Sequence, residues 1–569
     1  MALERDKGIS PGLWFKRGEP LIWINGAAVS ISVIAVVGLL FLLLVRGFGH
    51  FWPADILQAS YSVPGSESIR VIGERVETEE VPTEQLVSAG VPIKTDALLV
   101  ERTLVKQGNR DVTGADFSWV VEDFLSESSY PKELVVIERR EWGNFYGYLQ
   151  TVKQEGHVVA DTATDDAAAW GAFQSAIERA LRIQEDIHRI EKNDIGAINY
   201  ALERLRLRER RLELEGDTLS AVEVAAEQSA IALERAELDA SYGVLQKELS
   251  DLYVQINRDS FTAEAANGTV VDLSMALVVR AVRPNAMSVF DKIVEYGSKL
   301  VEFLTDEPRE ANTEGGIFPA IFGTIMMVLL MSILVTPFGV IAAVYLREYA
   351  KQGVMTRTIR IAVNNLAGVP SIVYGVFGLG FFIYFLGSEI DQLFFPEALP
   401  APTFGTPGLL WASLTLALLT LPVVIVATEE GLARIPKALR EGSLALGATK
   451  AETLWRVVLP MASPAMMTGL ILAVARAAGE VAPLMLVGVV KLAPSLPLDG
   501  NYPYLHLDQK FMHLGFHIYD VGFQSPNVEA ARPLVYATAL LLVVIIVMLN
   551  LTAIGIRNHL REKYKSLEM

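Results

Sequence analysis

Cysteine is absent from the 569-residue sequence, which excludes disulfides and thiolate metal sites. The seven histidines are scattered without the spacing of a zinc site. The glycine-rich phosphate loop G-x-x-x-x-G-K-S/T does not occur either, so we do not expect the chain to hydrolyse ATP. These absences favour a protein that is not an enzyme and needs no metal or cofactor.

Charged side chains are also rare in six long apolar segments. Each segment has roughly 20 or more residues, the length that crosses about 30 Å of hydrocarbon. Buried core helices of a soluble protein are the alternative, but they would require a core with room for six such helices. We therefore predict an all-α polytopic membrane protein whose spans cover residues 21–45, 317–346, 361–386, 408–428, 464–490 and 533–556.

Charge separates the two sides of the predicted membrane. Residues 51–314 carry 48 Asp and Glu against 27 Lys and Arg, whereas the rest of the chain carries 18 against 22. The loops 347–360 and 434–456 and the segment 557–565 are basic, which places them in the cytoplasm by the positive-inside rule. Both termini are then cytoplasmic, and residues 51–314 form an extracytoplasmic insertion. The first span lacks a cleavage signal and is predicted to be a retained anchor.

The insertion is predicted to be an α+β domain. Strand-like runs punctuated by Gly and Pro fill its first part, and "GTVVDLSMALVVRAV" is predicted to return as one strand. The segment "NAMSVFDKIVEYGSKLVEFL" has helical apolar spacing and suits a helix on the outer membrane surface, although ordinary core packing is equally compatible. The predicted divisions are 1–50 (N-terminus and first span), 51–168 (mostly β), 169–259 (helical hairpin), 260–314 (returning strand and interfacial helix) and 315–569 (five-helix core).

Leucine and isoleucine recur every seven residues in the helical part of the insertion, which indicates a coiled coil. Between the two series, Gly216 suits the end of one helix and Asp217 the N-cap of the next. We predict an antiparallel hairpin with arms of about 40 residues, or roughly 60 Å. One continuous coiled coil through Gly216 is the alternative. The repeating residues are Ile198, Leu205, Leu212 and Leu219, then Leu238, Leu245 and Leu252.

The loop 429–460 contains "EGLARIPKALREGSLALGATKAETLWRVVLP". Gly447 is placed to end one helix, and Thr449 with Glu452 forms a capping box that starts another. The segment resembles the coupling loop of ABC-importer permeases, although Gly442 and Ser443 replace two alanines of that pattern. An ordinary amphipathic loop helix is the alternative. The resemblance implies contact with ATPase subunits through Glu441, Gly447, Ala448, Thr449 and Glu452.

Segments in the second, third and fifth spans narrow the resemblance. "GGIFPAIFGTIMMVLLMSILVTPFGVIAAVYLREYA", "NLAGVPSIVYGVFGLGFF" and "ARAAGEVAPLM" are similar to A-type permease subunits of phosphate ABC importers, in an elongated proteobacterial form. The resemblance implies a type I permease fold in a bacterial inner membrane. It also implies four kinds of partner: a homologous C-type permease, two ATPase subunits, a periplasmic phosphate-binding protein and membrane lipid, with no nucleic acid.

Arg476 and Glu480 are the charged residues inside the fifth predicted span. They lie four residues apart, share one helix face and can pair. Burial of such charges near the middle of a membrane costs about 2.5–3.5 kcal/mol each, so we expect a role in translocating an anion. A structural ion pair that locks two helices is the alternative. In the resembled family the corresponding residues are associated with translocation.

Other candidates have structural interpretations. Pro370 and Ser371 are expected to shape a kink or a close helix contact, and Pro483 can free backbone groups near the charged pair. His506, His513 and His517 are expected to be surface residues rather than metal ligands. Two further functions stay open: a permease for another oxyanion such as molybdate or sulfate, and a membrane-anchored signalling or scaffold protein of the cell envelope.

Overall fold

The computed structural model describes residues 19–93, 97–215, 219–525 and 528–564. Within them, six helices are long and apolar enough to cross a membrane, as the sequence predicts. The predicted turn at Gly216 and Asp217 and both chain ends lie outside the described residues. The helices are span one (Leu21–Gly49), span two (Phe318–Tyr349), span three (Ser371–Phe394), span four (Leu409–Arg434), span five (Lys450–Gly479) and span six (Ala531–Glu562).

Span four lies at the centre of the helical bundle. Its side chains are mostly buried, including Trp411 and Leu416, and it packs between span two and span five. Small residues allow this approach, since a Cβ atom at Gly469 would lie 2.6 Å from Ala427 Cβ. Span one lies at the periphery, where its apolar side chains are exposed and its neighbour is span six. Such a helix needs lipid around it, because water would face a continuous apolar surface.

Span three begins ten residues later than the sequence predicts. Residues 361–366 belong to a separate amphipathic helix (Val354–Leu366), and the new helix starts after Pro370. Proline lacks an amide hydrogen and disfavours helical backbone in the residue before it, so the apolar run is divided here. Hydropathy alone does not detect this break, so the sequence prediction merged two helices into one.

Span five ends eleven residues earlier than predicted. Its helix stops at Gly479, and Glu480 has extended backbone angles (φ −82°, ψ 132°). A short helix follows (Leu484–Val487), and the chain then leaves the bundle as an irregular loop. The prediction that Arg476 and Glu480 lie in the middle of one helix is therefore wrong, because both lie at its C-terminal end.

The insertion between spans one and two contains two large antiparallel sheets and a short two-stranded sheet (Pro308–Arg309 with Glu314–Gly315). The first has the order β4-β3-β2-β1-β5 and the second has β10-β9-β7-β6-β11, with β8 also paired to β7. The predicted single returning strand is two strands, β10 and β11, on opposite edges of the second sheet, because residues 275–277 turn between them. The strands are β1 (Ile56–Tyr61), β2 (Ile69–Pro82), β3 (Leu99–Lys106), β4 (Phe117–Val121), β5 (Leu125–Ser129), β6 (Leu134–Arg139), β7 (Phe145–Gln154), β8 (His157–Asp161), β9 (Asp259–Ala265), β10 (Val270–Ser274) and β11 (Val278–Val282).

The helices of the insertion run out from the second sheet and back to it. Helix α1 (Asp166–Arg189) packs on the sheet, where Phe173 meets Phe261, and it continues through residues 190–194 into α2 (Ile195–Glu215). Helix α3 (Ala221–Ile256) lies beside α2, with Arg208 bonded to Glu227 across the arms. This side-by-side arrangement is that of a hairpin, not of one continuous coiled coil. The N-cap of α3 is Ser220 rather than Asp217, because Ser220 forms a capping box with Glu223.

Helix α4 (Val289–Thr305) leads from the second sheet to span two and begins with a Ser288–Asp291 capping box. Helices α5 (Val354–Leu366) and α6 (Lys437–Ala445) lie on the side of the bundle opposite the insertion. We call that side the loop face and the other side the insertion face.

Candidate translocation and coupling sites

The break after span five holds the charged pair. Arg476 lies in the last helical turn, and its Nε is 3.5 Å from Glu480 Oε1. The Arg476 side chain is 33% exposed and that of Glu480 is 21% exposed, so neither is sealed in the bundle. The terminal nitrogens of Arg476 donate no hydrogen bond to any described residue. The guanidinium therefore has its two terminal nitrogens available for another anion.

Span three packs directly against this break. A Cβ atom at Gly375 would lie 2.7 Å from Pro483 Cα, which leaves no room for a larger residue. Tyr374, the preceding residue, is buried and donates from its hydroxyl to the carbonyl of Leu366 at 2.6 Å. The first turn of span three is thus held to α5 on one side and to the break in span five on the other.

Pro370 and Ser371 lie at the start of that same turn. Pro370 is the residue before the helix (φ −55°, ψ 136°), and its carbonyl accepts from the Val373 amide. The structure therefore brings Pro370 and Ser371 within one helical turn of the contact with Pro483. This position is compatible with the predicted role of both residues in shaping a kink or a close helix contact, which stays a prediction.

The segment 429–460 forms a helix, a tight turn and a second helix on the loop face. Gly447 adopts φ +88°, which L residues rarely adopt, and it ends α6. The predicted capping box is present: the Thr449 hydroxyl accepts from the Glu452 amide, and the Glu452 carboxylate accepts from the Thr449 amide at 2.8 Å. Ala448 lies within this turn, and Glu441 is exposed on α6. Four of the five predicted coupling residues are thus gathered in one turn.

Ion pairs that the sequence prediction missed join this segment to the other loop-face helices. Arg440 pairs with Glu348 at 2.9 Å, and Arg360 pairs with Glu429 at 3.1 Å. Lys450 reaches the Glu348 carbonyl and lies 4.2 Å from the centre of the Tyr349 ring. From the sequence alone these residues are recognisable only as charged residues of loops, because their partners lie 69 to 102 positions away. No spacing signal could have identified them.

Apolar side chains are exposed on the same loop face. Leu446 is 90% exposed and Trp455 is 74% exposed, and Val354 and Met355 at the start of α5 are exposed to a similar degree. A cluster of this kind beside charged residues is typical of a protein–protein contact.

The three histidines near the insertion face are buried, so the expectation of surface residues is wrong. His506 packs against Tyr200 of the hairpin and bonds Asp499 at 2.8 Å, while His513 and His517 are covered by the ends of spans two and six. Burial lowers the pKa of His513 to about 4, which leaves it neutral near pH 7. Among the described residues, no group of three or more His, Asp or Glu is arranged to hold a metal ion.

A helical bundle with a broken, charge-bearing span and a capped loop turn defines a membrane permease rather than an enzyme. The family model described as "Binding-protein-dependent transport system inner membrane component" matches residues 335–566. The chain belongs to this family of ABC-importer permeases, which have the type I permease fold and span the inner membrane several times. The insertion lies outside the matched residues.

Relatives in three organisms show how far the similarity extends. The Mycobacterium tuberculosis "Phosphate transport system permease protein PstA 1" is 37% identical over 247 residues, covering 43% of this chain and 71% of the relative. The Methanocaldococcus jannaschii "Probable phosphate transport system permease protein PstA" is 31% identical, covering 41% and 73%. The Bacillus subtilis "Probable ABC transporter permease protein YqgH" is 32% identical, covering 36% and 63%.

Proposed function

We propose that the chain is the membrane-spanning permease subunit of an ATP-driven importer of inorganic phosphate. Relatives named as phosphate transport permeases support the substrate class. The observation that carries the chemistry is the Arg476–Glu480 pair, in which Nε is the guanidinium nitrogen nearest to the carboxylate, at 3.5 Å. Phosphate bears one to two negative charges near pH 7, and two of its oxygens match the planar fork of guanidinium donors.

Glu480 has a definite part in this proposal. The Glu480 carboxylate makes a long, weak contact of 3.5 Å with Arg476, which orients the guanidinium. When no anion is bound, this contact lowers the free energy that it costs to hold the charged arginine in the membrane. An arriving phosphate competes with the carboxylate for the same cation, so the anion is held without being trapped. Pro483 and Gly375 fix the backbone around the pair. The site thus combines attraction for the anion with an internal competitor that promotes release.

The orientation follows from charge. We place the loop face in the cytoplasm, because Arg434, Lys437, Arg440, Lys450 and Arg456 lie there. The insertion, with its acidic excess, then lies in the periplasm of a bacterium, and both termini lie in the cytoplasm. In this arrangement the helical hairpin α2–α3 is a periplasmic coiled-coil arm.

The partners follow from the loop face and from the family. The turn at Gly447 and Thr449, with the exposed Leu446 and Trp455, is the surface that we assign to an ATPase subunit. Closure of two ATPase subunits would draw this turn and its equivalent on a homologous C-type permease together. The permease pair would then open outward, accept phosphate from a periplasmic binding protein and release it inside.

Phosphate uptake by cells that depend on this transporter tests the proposal. We expect Arg476→Ala to abolish uptake of radiolabelled phosphate while the subunit still assembles with its ATPase. Arg476→Lys should retain part of the activity, because it keeps the charge but loses the planar fork. Lys153→Ala, on β7 of the insertion, is the control. Normal uptake by Arg476→Ala would remove the proposed role of the arginine.

Competition by unlabelled anions identifies the substrate, and copurification with an ATPase distinguishes a transporter from a scaffold protein. Excess unlabelled phosphate should block uptake, whereas molybdate and sulfate should not. Competition by either of these anions would instead support the permease for another oxyanion. Failure to copurify with an ATPase would support the envelope scaffold.

A further inference from the structure

A large cavity lies where the insertion meets the ends of spans one and six. Its volume is about 890 Å³, and its walls come from the end of span one, the start of span six, both large sheets and the segment 309–315. Val45 of span one and Trp52, just after its end, line the cavity and are also about half exposed. The cavity therefore opens toward the space that lipid fills beside that helix.

Ion pairs neutralise most of the charges in the cavity wall. Five of these contacts lie between 2.7 and 3.5 Å, and three of them join segments that are far apart in the chain. They are Arg110–Asp116, Arg110–Glu310, Lys299–Glu138, Arg309–Glu302 and Arg532–Glu77. The wall as a whole carries equal numbers of basic and acidic side chains. A ligand that is neutral overall but carries both signs of charge matches it better than a simple anion or cation.

Four charged side chains in the wall make no ion pair with any described residue: Arg46, Lys106, Glu74 and Glu314. Arg46 lies in the last turn of span one, and Glu314 lies in the strand leading to span two. Burial raises the pKa of the Glu314 carboxyl. The pKa of Glu138, which pairs with Lys299, shifts in the opposite direction. Burial alone would raise the pKa of Glu138 as well, but Lys299 and Arg280 lower it to about 2. Lys106 and Arg309 also act on the Glu314 carboxyl, but their charges do not offset the effect of burial on its pKa.

Further polar atoms in the wall are also without partners. Oδ1 of Asp116 and Nε of Arg309 are buried and make no hydrogen bond with the described residues. Buried polar atoms are almost always hydrogen-bonded in folded proteins. Unpartnered acceptor and donor atoms in one cavity indicate that a polar group of mixed character belongs there.

Helix α4 fixes the level of the cavity relative to the membrane. Phe290, Ile293, Val294 and Val301 form one stripe along it, and each is more than half exposed. The opposite side is bound to the insertion through Arg280 and the Glu295 and Glu302 carboxylates, and α4 also lines the cavity. An exposed apolar stripe next to the ends of two spans is the pattern of a helix lying in the membrane interface.

The two arginines at the mouth lie at the ends of neighbouring helices. Gly47 lets span one approach span six closely, since a Cβ atom there would lie 3.1 Å from the Tyr536 carbonyl oxygen. Arg46, near the end of span one, and Arg532, near the start of span six, both line the cavity, at span ends where basic side chains commonly reach lipid phosphates. Arg532 pairs with Glu77, but both side chains are well exposed and the contact is 3.3 Å, so it is readily exchanged.

We propose that this cavity binds the headgroup of a zwitterionic aminophospholipid from the leaflet on the insertion face. The lipid phosphate lies between Arg46 and Arg532, and the primary ammonium points inward to Glu314. The acyl chains run down the exposed side of span one. This site is separate from Arg476 and does not depend on which solute the permease transports.

Lipid exchange into nanodiscs tests the proposal with the full-length chain. We would load the protein with phosphatidylethanolamine, phosphatidylcholine or phosphatidylglycerol and count retained lipids by native mass spectrometry. The chain should retain one phosphatidylethanolamine in preference to the other two lipids. Glu314→Gln should remove the preference over phosphatidylcholine, whose quaternary ammonium donates no hydrogen bond. Arg46→Gln with Arg532→Gln should lower retention about tenfold or more.

The controls separate the lipid from free phosphate and from unfolding. Lys153→Gln, on β7 and away from the cavity, should behave like the unaltered chain, and the thermal unfolding temperature of each variant reports folding. Millimolar inorganic phosphate should not displace the lipid. Displacement by phosphate would show that the site binds free anion and would overturn the proposal. Equal retention of all three lipids, or unchanged retention in both cavity variants, would overturn it too.

Discussion

Arg440 of helix α6 lies 2.9 Å from Glu348 at the end of span two, and both side chains are largely buried. The same guanidinium donates to the Leu432 carbonyl, and Lys450 reaches the backbone of Glu348. The capped turn at Gly447 is therefore braced against two spans rather than hanging free. A force applied to this turn reaches span two directly through charged hydrogen bonds.

We expect Arg440→Gln to uncouple ATP hydrolysis from uptake. Loss of a partly buried, charge-assisted hydrogen bond costs about 1.5–3 kcal/mol, enough to change a conformational equilibrium roughly tenfold. Uptake should fall by that factor while ATPase activity of the assembled complex persists. The double variant Arg440→Glu with Glu348→Arg, in which the two charges are swapped, should restore part of the lost uptake. Arg434→Gln, whose side chain is 81% exposed, is the matched control, and equal effects of both changes would contradict the brace.

Gly447 offers a second test on the same turn. A Cβ atom there meets nothing within 4 Å, so Gly447→Ala is opposed by backbone strain alone, at about 1–2 kcal/mol. Binding of the ATPase subunit should weaken roughly tenfold, and Gly447→Asn should weaken it less, because Asn tolerates this conformation. Gly442→Ala, inside α6 and equally open, should leave binding unchanged. Calorimetric titration of purified subunits measures all three.

Much of the bundle could be predicted because span length is a local property. The breaks at Pro370 and Glu480 could not be placed from hydropathy, since the residues on either side are equally apolar. The capping box at Thr449 was predictable because both partners lie within one helical turn. The pairs Arg360–Glu429 and Arg440–Glu348 depend on tertiary packing across distant segments, and sequence pattern carries no signal for them. The same holds for the strand order β4-β3-β2-β1-β5.

The insertion should lose stability at low pH through Asp111. Arg139 is 1% exposed and donates to both oxygens of Asp111 and to the Gly143 and Trp142 carbonyls. Burial alone raises the pKa of Asp111, but the bonds from Arg139 lower it below the ordinary 3.8. A lowered native pKa gives stability that is present above 3.8 and is lost as pH falls through the native value.

Hydrogen exchange of β6 and β7 in the full-length chain, corrected for intrinsic rates, checks this pH dependence. Protection should fall in the unaltered chain as the pH drops below the ordinary Asp pKa of 3.8 and through the lower native pKa. In Asp111→Asn it should be lower at pH 7 and should vary less with pH. Lys153→Gln should follow the unaltered chain. A variant Asp111→Asn with the same pH profile as the unaltered chain would exclude Asp111 as the titrating group.

The hairpin should stay docked on the bundle during transport. Arg211 of α2 pairs with Glu397, whose side chain is 5% exposed, and Tyr200 of the same helix donates to the Tyr502 carbonyl. Although burial raises the pKa of Glu397, the bond from Arg211 lowers it, so leaving this carboxylate unpaired is costly. One helix thus bridges the loop after span three and the loop after span five.

The cysteine-free sequence permits a direct test, in which Arg211→Cys with Glu397→Cys is joined by a short bismaleimide. We expect efficient cross-linking and uptake within about twofold of the untreated protein, a difference of only about 0.4 kcal/mol. Arg206→Cys with Glu397→Cys should not cross-link, because Arg206 faces another side of α2. Full cross-linking that stops uptake would show instead that the arm must leave the loops in each transport cycle.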